Sequence, residues 1–454
     1  MSKPTIPSGT RDFGPAVMQK RLFIFGKIRG IFERFGFLPL ETPAMENLSV
    51  LTGKYGDEGD QLLFKILNSG DFLKDVEAPA LASYKKALPH IAEKGLRYDL
   101  TVPFARYTAM NRGQLTFPFK RYQIQPVWRS DRPQKGRYRE FYQCDADVIG
   151  TDSLLCETEM LVMIGQVMQA LGISQFKIKL NNRKVLTGLS EIIGQAGREA
   201  ELCVAIDKLD KIGWEKVREE LEGRGFEAKG LDLLNQVLDF NTENPLADIA
   251  ALEKQFANSA IALEGLAEIR KTLEYLQAMQ GNLHNIEVDV RLARGLSYYT
   301  GCIVEVKALG VNIGSISGGG RYDNLTGVFG IPGLSGAGIS FGVDRIYDVM
   351  EELNLFPDQA QQGTRILLCH FDEENFSYCL PLAHFLRQNG IQTEIYPETG
   401  KIKKQLSYAD ARKIPFAGIV GSEEMESQTL TLKNLINGEQ QRVSKEALLA
   451  LLQD

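Results

Sequence analysis

Between residues 184 and 282 the chain changes character, and that change restricts its fold more than any other feature. The stretch is rich in Leu, Ala, Glu and Lys at helical spacing, with breaks near Gly223–Gly230 and Asn241–Pro245. Segments that read as strands stand on both sides of it. Phe117–Trp128, Phe141–Val148 and Phe176–Leu180 precede it, and Ile286–Val290 and Cys302–Val306 follow it. A mostly helical module is therefore inserted into a strand-bearing body. Asp358–Thr364 reads as a linker. Strands at Ile366–Cys369, Thr393–Ile395, Ala417–Val420 and Thr429–Lys433 then alternate with helices at Phe376–Gln388 and Lys401–Ala411. That alternation predicts a small separate α/β domain. A chain of 454 residues is long enough for two or three domains. The boundaries expected are 1–183, 184–282, 283–357 and 364–454.

Charge and cysteine usage narrow the class. The net charge of −6 argues against indiscriminate nucleic-acid binding but leaves room for a local basic surface. One such surface lies at Arg129–Arg139, which holds five cations and one acid. The six cysteines form no CxxC pair, and the four histidines are scattered, so there is no zinc-like spacing. Free thiols in a reducing compartment are expected, and the cytoplasm is the expected location. No apolar run approaches the ~20 residues of a membrane span. Met1–Arg11 holds no apolar signal core, so export is not expected. Near the N-terminus, Met18, Leu22, Phe25, Ile28, Phe32 and Phe35 recur at three- and four-residue steps. They predict an amphipathic helix over 17–36, ended by Gly36 and followed by an extended segment to Pro43.

Five short constellations could carry chemistry, each with a plainer alternative. In Trp128–Gln143, an Arg at a strand end can fork onto a phosphate, or the segment is a solvated charged hairpin. Arg294–Gly301 pairs Tyr298 with Tyr299 between glycines, as a pocket wall or a packed turn. Gly318–Gly320 is expected as a tight turn, close to a ligand or not. Arg345 stands where a strand passes into a helix, over a ligand or on the surface. Asp99 and Thr101, two apart on an expected strand, share a face that could take an ammonium or face solvent.

In this order the constellations resemble the class II aminoacyl-tRNA synthetases, and within them the histidyl-tRNA synthetases. The likeness runs from Ser8-Gly9-Thr10-Arg11-Asp12 to Lys404-Gln405-Leu406-Ser407-Tyr408-Ala409-Asp410. RGLSYYTG at 294–301, SGGGRYD at 317–323 and the loop RPQKGRYREFYQ at 132–143 are specific to that family. LRYDLTVPFARY at 96–107 is more similar to its eukaryotic branch. The resemblance implies an α+β class II catalytic domain, an antiparallel six- or seven-stranded sheet flanked by helices. A helical insertion and a C-terminal α/β anticodon-binding domain complete it. It also implies activation of histidine by ATP with Mg²⁺, then transfer to tRNA(His), whose extra 5′ guanosine the family reads.

Residue by residue, the resemblance implies the following. Residues 17–43 match the first class motif, which builds a homodimer interface. Arg129 matches the arginine that grips the ATP α-phosphate and the substrate carboxylate. Arg345 matches the arginine on the γ-phosphate side, and Arg294 the family's catalytic arginine. Arg137 matches a further phosphate-binding position. Asp99, Thr101 and Gln143 match the groups that hold the histidine ammonium. Asp147 and Tyr299 match those that read the imidazole, with Tyr298 beside them. The chain departs from the family at Ser297, usually Asp, and at Asp99 and Asp147, which are Glu in many bacterial members. Lys401, Lys403, Lys404, Arg412 and Lys413 are candidates for anticodon-stem phosphates, or solvated cations. A competing implication is a non-catalytic histidine sensor that regulates ATP phosphoribosyltransferase. That paralogue lacks the terminal domain expected here.

Overall fold

The computed structural model describes residues 3–453 apart from 75, 240, 241, 243, 294–297, 358, 359, 361 and 362. Arg294 and Ser297, singled out above, and parts of the expected break at 241–245 and of the expected linker therefore lie outside the described residues. The chain divides into two compact units, Met1–Phe356 and Pro357–Asp454.

The first unit is built on one sheet of eight strands. In chain order they are β1 (Leu38–Pro39), β2 (Phe119–Trp128), β3 (Glu140–Ile149), β4 (Phe176–Asn182), β5 (Ile286–Val288), β6 (Cys302–Ala308), β7 (Ser317–Tyr322) and β8 (Gly336–Gly342). Their spatial order is β1-β2-β3-β8-β7-β6-β4-β5. The six inner strands pair antiparallel, and β1 and β5 add parallel to the two edges. The expected antiparallel core is thus present, with two short edge strands in addition.

Two-residue alternation gives this sheet two unlike faces. Tyr122, Cys144, Ala146, Val148, Ile339 and Phe341 belong to the main apolar core. Helices α1 (Pro15–Arg34), α2 (Leu155–Ala170) and α3 (Val343–Glu352) pack over that side. The alternate positions, Arg121, Gln123, Gln143, Asp145, Asp147 and Ser340, are polar, and they make up the site described below.

Helix α1 starts on a proline, whose φ suits a first turn. It stops just before Gly36, whose φ of 78° is the left-handed value that favours glycine. Its buried stripe is Arg21, Ile24, Phe25, Ile28, Ile31 and Phe32. Leu22, expected in the stripe, is 59% exposed. One residue is ~100° of helix, enough to carry it off the face centred on Phe25 and Ile28.

Two further expectations are corrected. Gly318–Gly320 is not a turn but the middle of strand β7. Glycine is required there by close packing within the sheet, since a Cβ on Gly319 would stand 2.2 Å from the Gly338 carbonyl oxygen. Asp99 and Thr101 do not share a strand. Lys94–Leu96 ends a strand of a separate three-stranded sheet, and a helix begins at Thr101 (Thr101–Asn111). The Asp99 carboxylate accepts from the Val102 amide at 3.1 Å, satisfying one of the donors that a helix start leaves open.

The stretch from 183 to 278 is helical as expected: Arg183–Ile192, Glu199–Ile206, Leu209–Ile212, Trp214–Gly223, Ala228–Leu238, Pro245–Gln255 and Ala260–Ala278. Asn182, Asn244 and Ser259 cap three of these through side-chain oxygens. Val185, Leu189, Leu266, Ile269 and Leu273 join the core beneath the large sheet. Ala260–Ala278 packs so closely on Arg183–Ile192 that a Cβ on Gly188 would meet Ala262 Cβ at 2.4 Å.

The second unit is a five-stranded sheet, ordered Thr393–Ile395, Ile366–His370, Phe416–Val420, Leu430–Asn434, Gln440–Val443. The first three strands are parallel and the last two antiparallel. Helices Glu373–Gln388, Ile402–Ala411 and Lys445–Gln453 accompany it. Gln440–Val443 and Lys445–Gln453 were not anticipated. The strand is mostly exposed and polar, so it shows no apolar alternation. Among the described residues, no helix is long and apolar enough to cross a membrane.

Candidate active site

A cavity of about 470 Å³ opens over the polar face of the large sheet. Its size suits a small-molecule ligand. Arg129, Arg137, Gln143, Tyr299 and Arg345, drawn from widely separated parts of the chain, all line it. Gly318 and Gly342 contribute a floor without side chains, on which a flat ligand can lie.

One end of the cavity is cationic. Arg129 follows strand β2, where its Nε donates to the Tyr98 carbonyl at 3.1 Å. Its guanidinium is sandwiched between the rings of Tyr98 and Phe141, 4.1 and 5.2 Å from their centroids. Stacking and the carbonyl fix the plane of the fork while leaving its other N–H groups for a ligand. Arg345 lies in the first turn of α3. It donates to the Gly136 carbonyl at 2.7 Å and the Ser315 carbonyl at 2.6 Å. Burial, then the cations of Arg137 and Arg129, hold its pKa below the usual value. The three arginines line one cavity, and an anion there would relieve their mutual repulsion.

The loop that carries Arg137 is held against α3. Tyr138 Oη donates to Asp348 at 2.9 Å, and Lys135 pairs with Glu352 at 2.6 Å. Arg11 stacks over the Tyr138 ring, 3.3 Å from its centroid, and pairs with Asp344. Asp344 also accepts from buried Arg21 at 2.7 Å and from the Tyr142 amide at 3.0 Å. Helix α1, the N-terminal segment and strand β3 therefore all anchor the helix turn that presents Arg345.

The other end is acidic and aromatic. Gln143 Nε2 donates to Ser340 Oγ at 2.6 Å, and its Oε1 has no partner among the described residues. Asp147 is buried; Tyr322 Oη donates to its Oδ1 at 2.7 Å, and Arg121 stands 2.7 Å from its Oδ2. Asp99 is buried and accepts from Tyr55 Oη and Tyr298 Oη, both at 3.0 Å. Burial raises both carboxyls above their usual range, against the pull of Arg121 on Asp147 and of the Val102 amide and Arg129 on Asp99. Burial and then the carboxylates of Asp147, Asp145 and Asp99 raise the Tyr299 phenol, so it stays a protonated donor.

Of the residues singled out from sequence, Asp99, Thr101, Asp147 and Tyr298 stand behind the cavity wall rather than on it. Arg294 lies outside the described residues. Sequence reasoning missed Tyr55, Ser340, Glu305 and Asp145. Alternation along Gln143–Asp147 and along β8 carried the signal for Asp145 and Ser340. Nothing local marked Tyr55, which stands just before the short helix Gly56–Leu62, outside the large sheet. Among the described residues, no group of three or more His, Cys, Asp or Glu could hold a metal ion by itself.

Comparison with known proteins agrees with this geometry. The profile described as histidyl-tRNA synthetase matches residues 92–346, and that described as anticodon binding domain matches residues 363–454. The histidine–tRNA ligase of Cytophaga hutchinsonii is 60% identical over 446 residues, covering 98% of each chain. The crystal structure of histidyl-tRNA synthetase from Nostoc sp. PCC 7120 superposes with a TM-score of 0.85 at 29% identity, covering 100% of this chain and 99% of that one. An ATP phosphoribosyltransferase regulatory subunit/histidyl-tRNA synthetase from Bacillus halodurans C gives 0.71 at 21% identity, over 89% of this chain and 97% of that one. The last likeness is one of fold alone.

Proposed function

The chain belongs to the histidyl-tRNA synthetase family, and from that premise we propose which groups in the cleft carry out the reaction. Histidine is activated with ATP to histidyl-adenylate and pyrophosphate, and is then transferred to the 3′ end of its tRNA. The observation that carries the reading is the convergence of Arg129, Arg137 and Arg345 at one end of a cavity whose other end holds Gln143 and Tyr299.

Adenylation brings a carboxylate onto a phosphorus that is itself anionic. The protein's work is therefore positioning and charge neutralisation. Arg129, held flat between two rings, forks onto the α-phosphate and the histidine carboxylate. Arg345, tethered by two carbonyls, faces the γ-phosphate, and Arg137 on the loop closes over the phosphates. Arg294 adds charge at the α-phosphate, an assignment that rests on the resemblance alone. The free Oε1 of Gln143 accepts from the histidine ammonium. Asp99 and Thr101 stand behind it, with Asp99 supplying negative charge through Tyr55 and Tyr298. Asp147 and Tyr299 recognise the ring, with the carboxylate accepting from a ring N–H.

Magnesium suits the phosphate end. Mg²⁺ is commonly held by one or two carboxylates together with substrate phosphates. Asp131 and Glu305 line the cavity there and would hold it, and the ion would neutralise phosphate charge. The partition proposed is a catalytic domain of 1–183 and 283–357, a helical insertion of 184–282 and an anticodon-binding domain of 364–454. The exposed Lys401, Lys403, Lys404, Arg412 and Lys413 remain the candidates for tRNA phosphates, although Lys404 and Arg412 already pair with Glu398 and Glu394. A homodimer through residues 17–43 is supported by three exposed apolar side chains in and beside that segment, Leu22, Leu38 and Met45. Light scattering should give twice the chain mass, and a monomeric Leu22→Glu variant would support the interface. Monomer throughout would remove it.

The alternative of a non-catalytic histidine sensor is not favoured. The chain carries the anticodon-binding domain, and the phosphate-directed arginines are in place. Histidine-dependent ATP–pyrophosphate exchange decides the matter: an active enzyme exchanges, and a sensor binds histidine without exchange.

A further inference from the structure

Asp145 is used by none of the roles above. It lies on strand β3 between Gln143 and Asp147, and two-residue alternation puts all three on the polar face of the sheet, Gln143 on the cavity wall and the two acids behind it. Across the ladder it pairs with Ser340 of β8 and Gln123 of β2. Ser340 lines the cavity, accepts from Gln143 at 2.6 Å, and is hydrogen-bonded to Asp145. Asp145 is 1% exposed, yet its Oδ1 has no hydrogen-bond partner among the described residues.

The contrast with Asp147 is informative. Asp147 Oδ1 accepts from Tyr322, and its Oδ2, although it too lacks a hydrogen-bond partner among the described residues, is ion-paired with Arg121 at 2.7 Å; Gly338 leaves this carboxylate no room to turn, a Cβ there falling 2.1 Å from Oδ1. Asp145 has the same burial, but among the described residues no cation stands at ion-pair distance from its unpartnered oxygen. A buried, unmatched carboxylate oxygen is costly in a folded chain. Ser or Asn would fill the position at lower cost, so the acceptor points to a ligand that donates. Counting charges gives the same answer. Among the described residues Arg121, ion-paired with Asp147, is the cation that acts on Asp145, against the neighbouring carboxyls of Asp147 and Asp99. A ring with N–H donors on both edges, imidazolium, supplies the missing positive charge.

We propose that Asp145 is a further specificity-determining residue, whose free Oδ1 accepts a hydrogen bond from one ring nitrogen of histidine while Asp147 and Tyr299 face the other edge. The site is then a two-carboxylate pocket selecting for the basicity of the ring. This rests on the cleft being the histidine site, as proposed above.

The test is steady-state exchange with L-histidine and with 1,2,4-triazolyl-alanine, whose ring keeps an N–H but is far less basic. Asp145→Asn should raise the KM for histidine about 10- to 100-fold. The KM for ATP should stay within about twofold. The preference for histidine over the triazole should shrink by a similar factor, because the variant no longer senses ring charge. An unchanged histidine KM, or an equal loss for both amino acids, would overturn the proposal, the latter because a merely structural role weakens both alike. If Asp145→Asn does not fold, Asp145→Ser makes the same comparison. Wild-type protein without histidine-dependent exchange would instead overturn the reading of the cleft itself.

Discussion

At the cationic end of the cleft the charged side chains sit on connections. Arg129 follows a strand, Arg137 rides a loop and Arg345 opens a helix, each partly or wholly open to solvent. At the acidic end Asp145 and Asp147 sit in mid-strand and are closed off from solvent. The difference follows from the groups themselves. Guanidinium stays protonated in any environment of this kind, so an arginine needs only to be aimed, and carbonyls and aromatic faces aim it. A carboxylate in a closed site loses its hydration, and its charge then depends on its neighbours. In the roles proposed, arginines at an open end neutralise a ligand that arrives with charge to spare. Acids at a closed end would, on the same proposal, discriminate, because a wrong ring leaves them unpaired.

The strongest way to break this contrast is at Arg129. Arg129→Lys keeps the charge and loses the planar fork. It should lower the exchange kcat by about 10²- to 10³-fold. Histidine affinity, read by equilibrium titration without ATP, should move less than about threefold. A comparable loss of binding would mean that the cationic end also holds the free amino acid. A smaller effect is expected from Gly338→Ala, whose added methyl would stand 2.1 Å from Asp147 Oδ1 and must push that carboxylate away from Tyr322. The KM for histidine should rise by about tenfold, consistent with losing a hydrogen bond to a charged group. The KM for ATP should hold. Equal shifts in both would show that the two ends are not separable.

The smallest effect sharpens the comparison through stability. Burial raises the Asp145 carboxyl above its ordinary value; Arg121 opposes this, and Asp147 and Asp99 add to it. From the unfolded value near pH 4 up to the raised value, the folded chain binds more protons than the unfolded chain. Its stability therefore falls as pH rises through that window. Asn at 145 carries no such proton. The melting temperature of Asp145→Asn should match the parent near pH 4 to 5 and exceed it by about 2 °C at pH 8. A variant less stable at both ends of that range would mean the carboxylate supports the fold, contrary to its vacant oxygen.

Different parts of the molecule were legible to different degrees. Helix α1, the inserted helices and the αβ alternation of the second unit follow from apolar periodicity, which sequence records directly. Periodicity misjudged Leu22 by one step and missed Gln440–Val443, where an exposed strand buries too little to leave a pattern. Gly318–Gly320 read as a turn because glycine is permissive, whereas packing against Gly338 is what demands it. In the site, the arginines were recognisable because their motifs are contiguous. Tyr55 was not, since the contact with Asp99 spans separate elements.

By itself the sequence determined which residue types are present, their alternation along each strand, and the motif order that marks the family. Those are properties of near neighbours, governed by backbone periodicity and turn chemistry. Tertiary structure alone decided that Asp147 is hydrogen-bonded by Tyr322 and ion-paired with Arg121 while Asp145, two residues away with the same side chain, keeps an oxygen with neither kind of partner among the described residues. Hydrogen-bond partners in a sheet come from other strands, and the register that brings them together is a property of the folded chain.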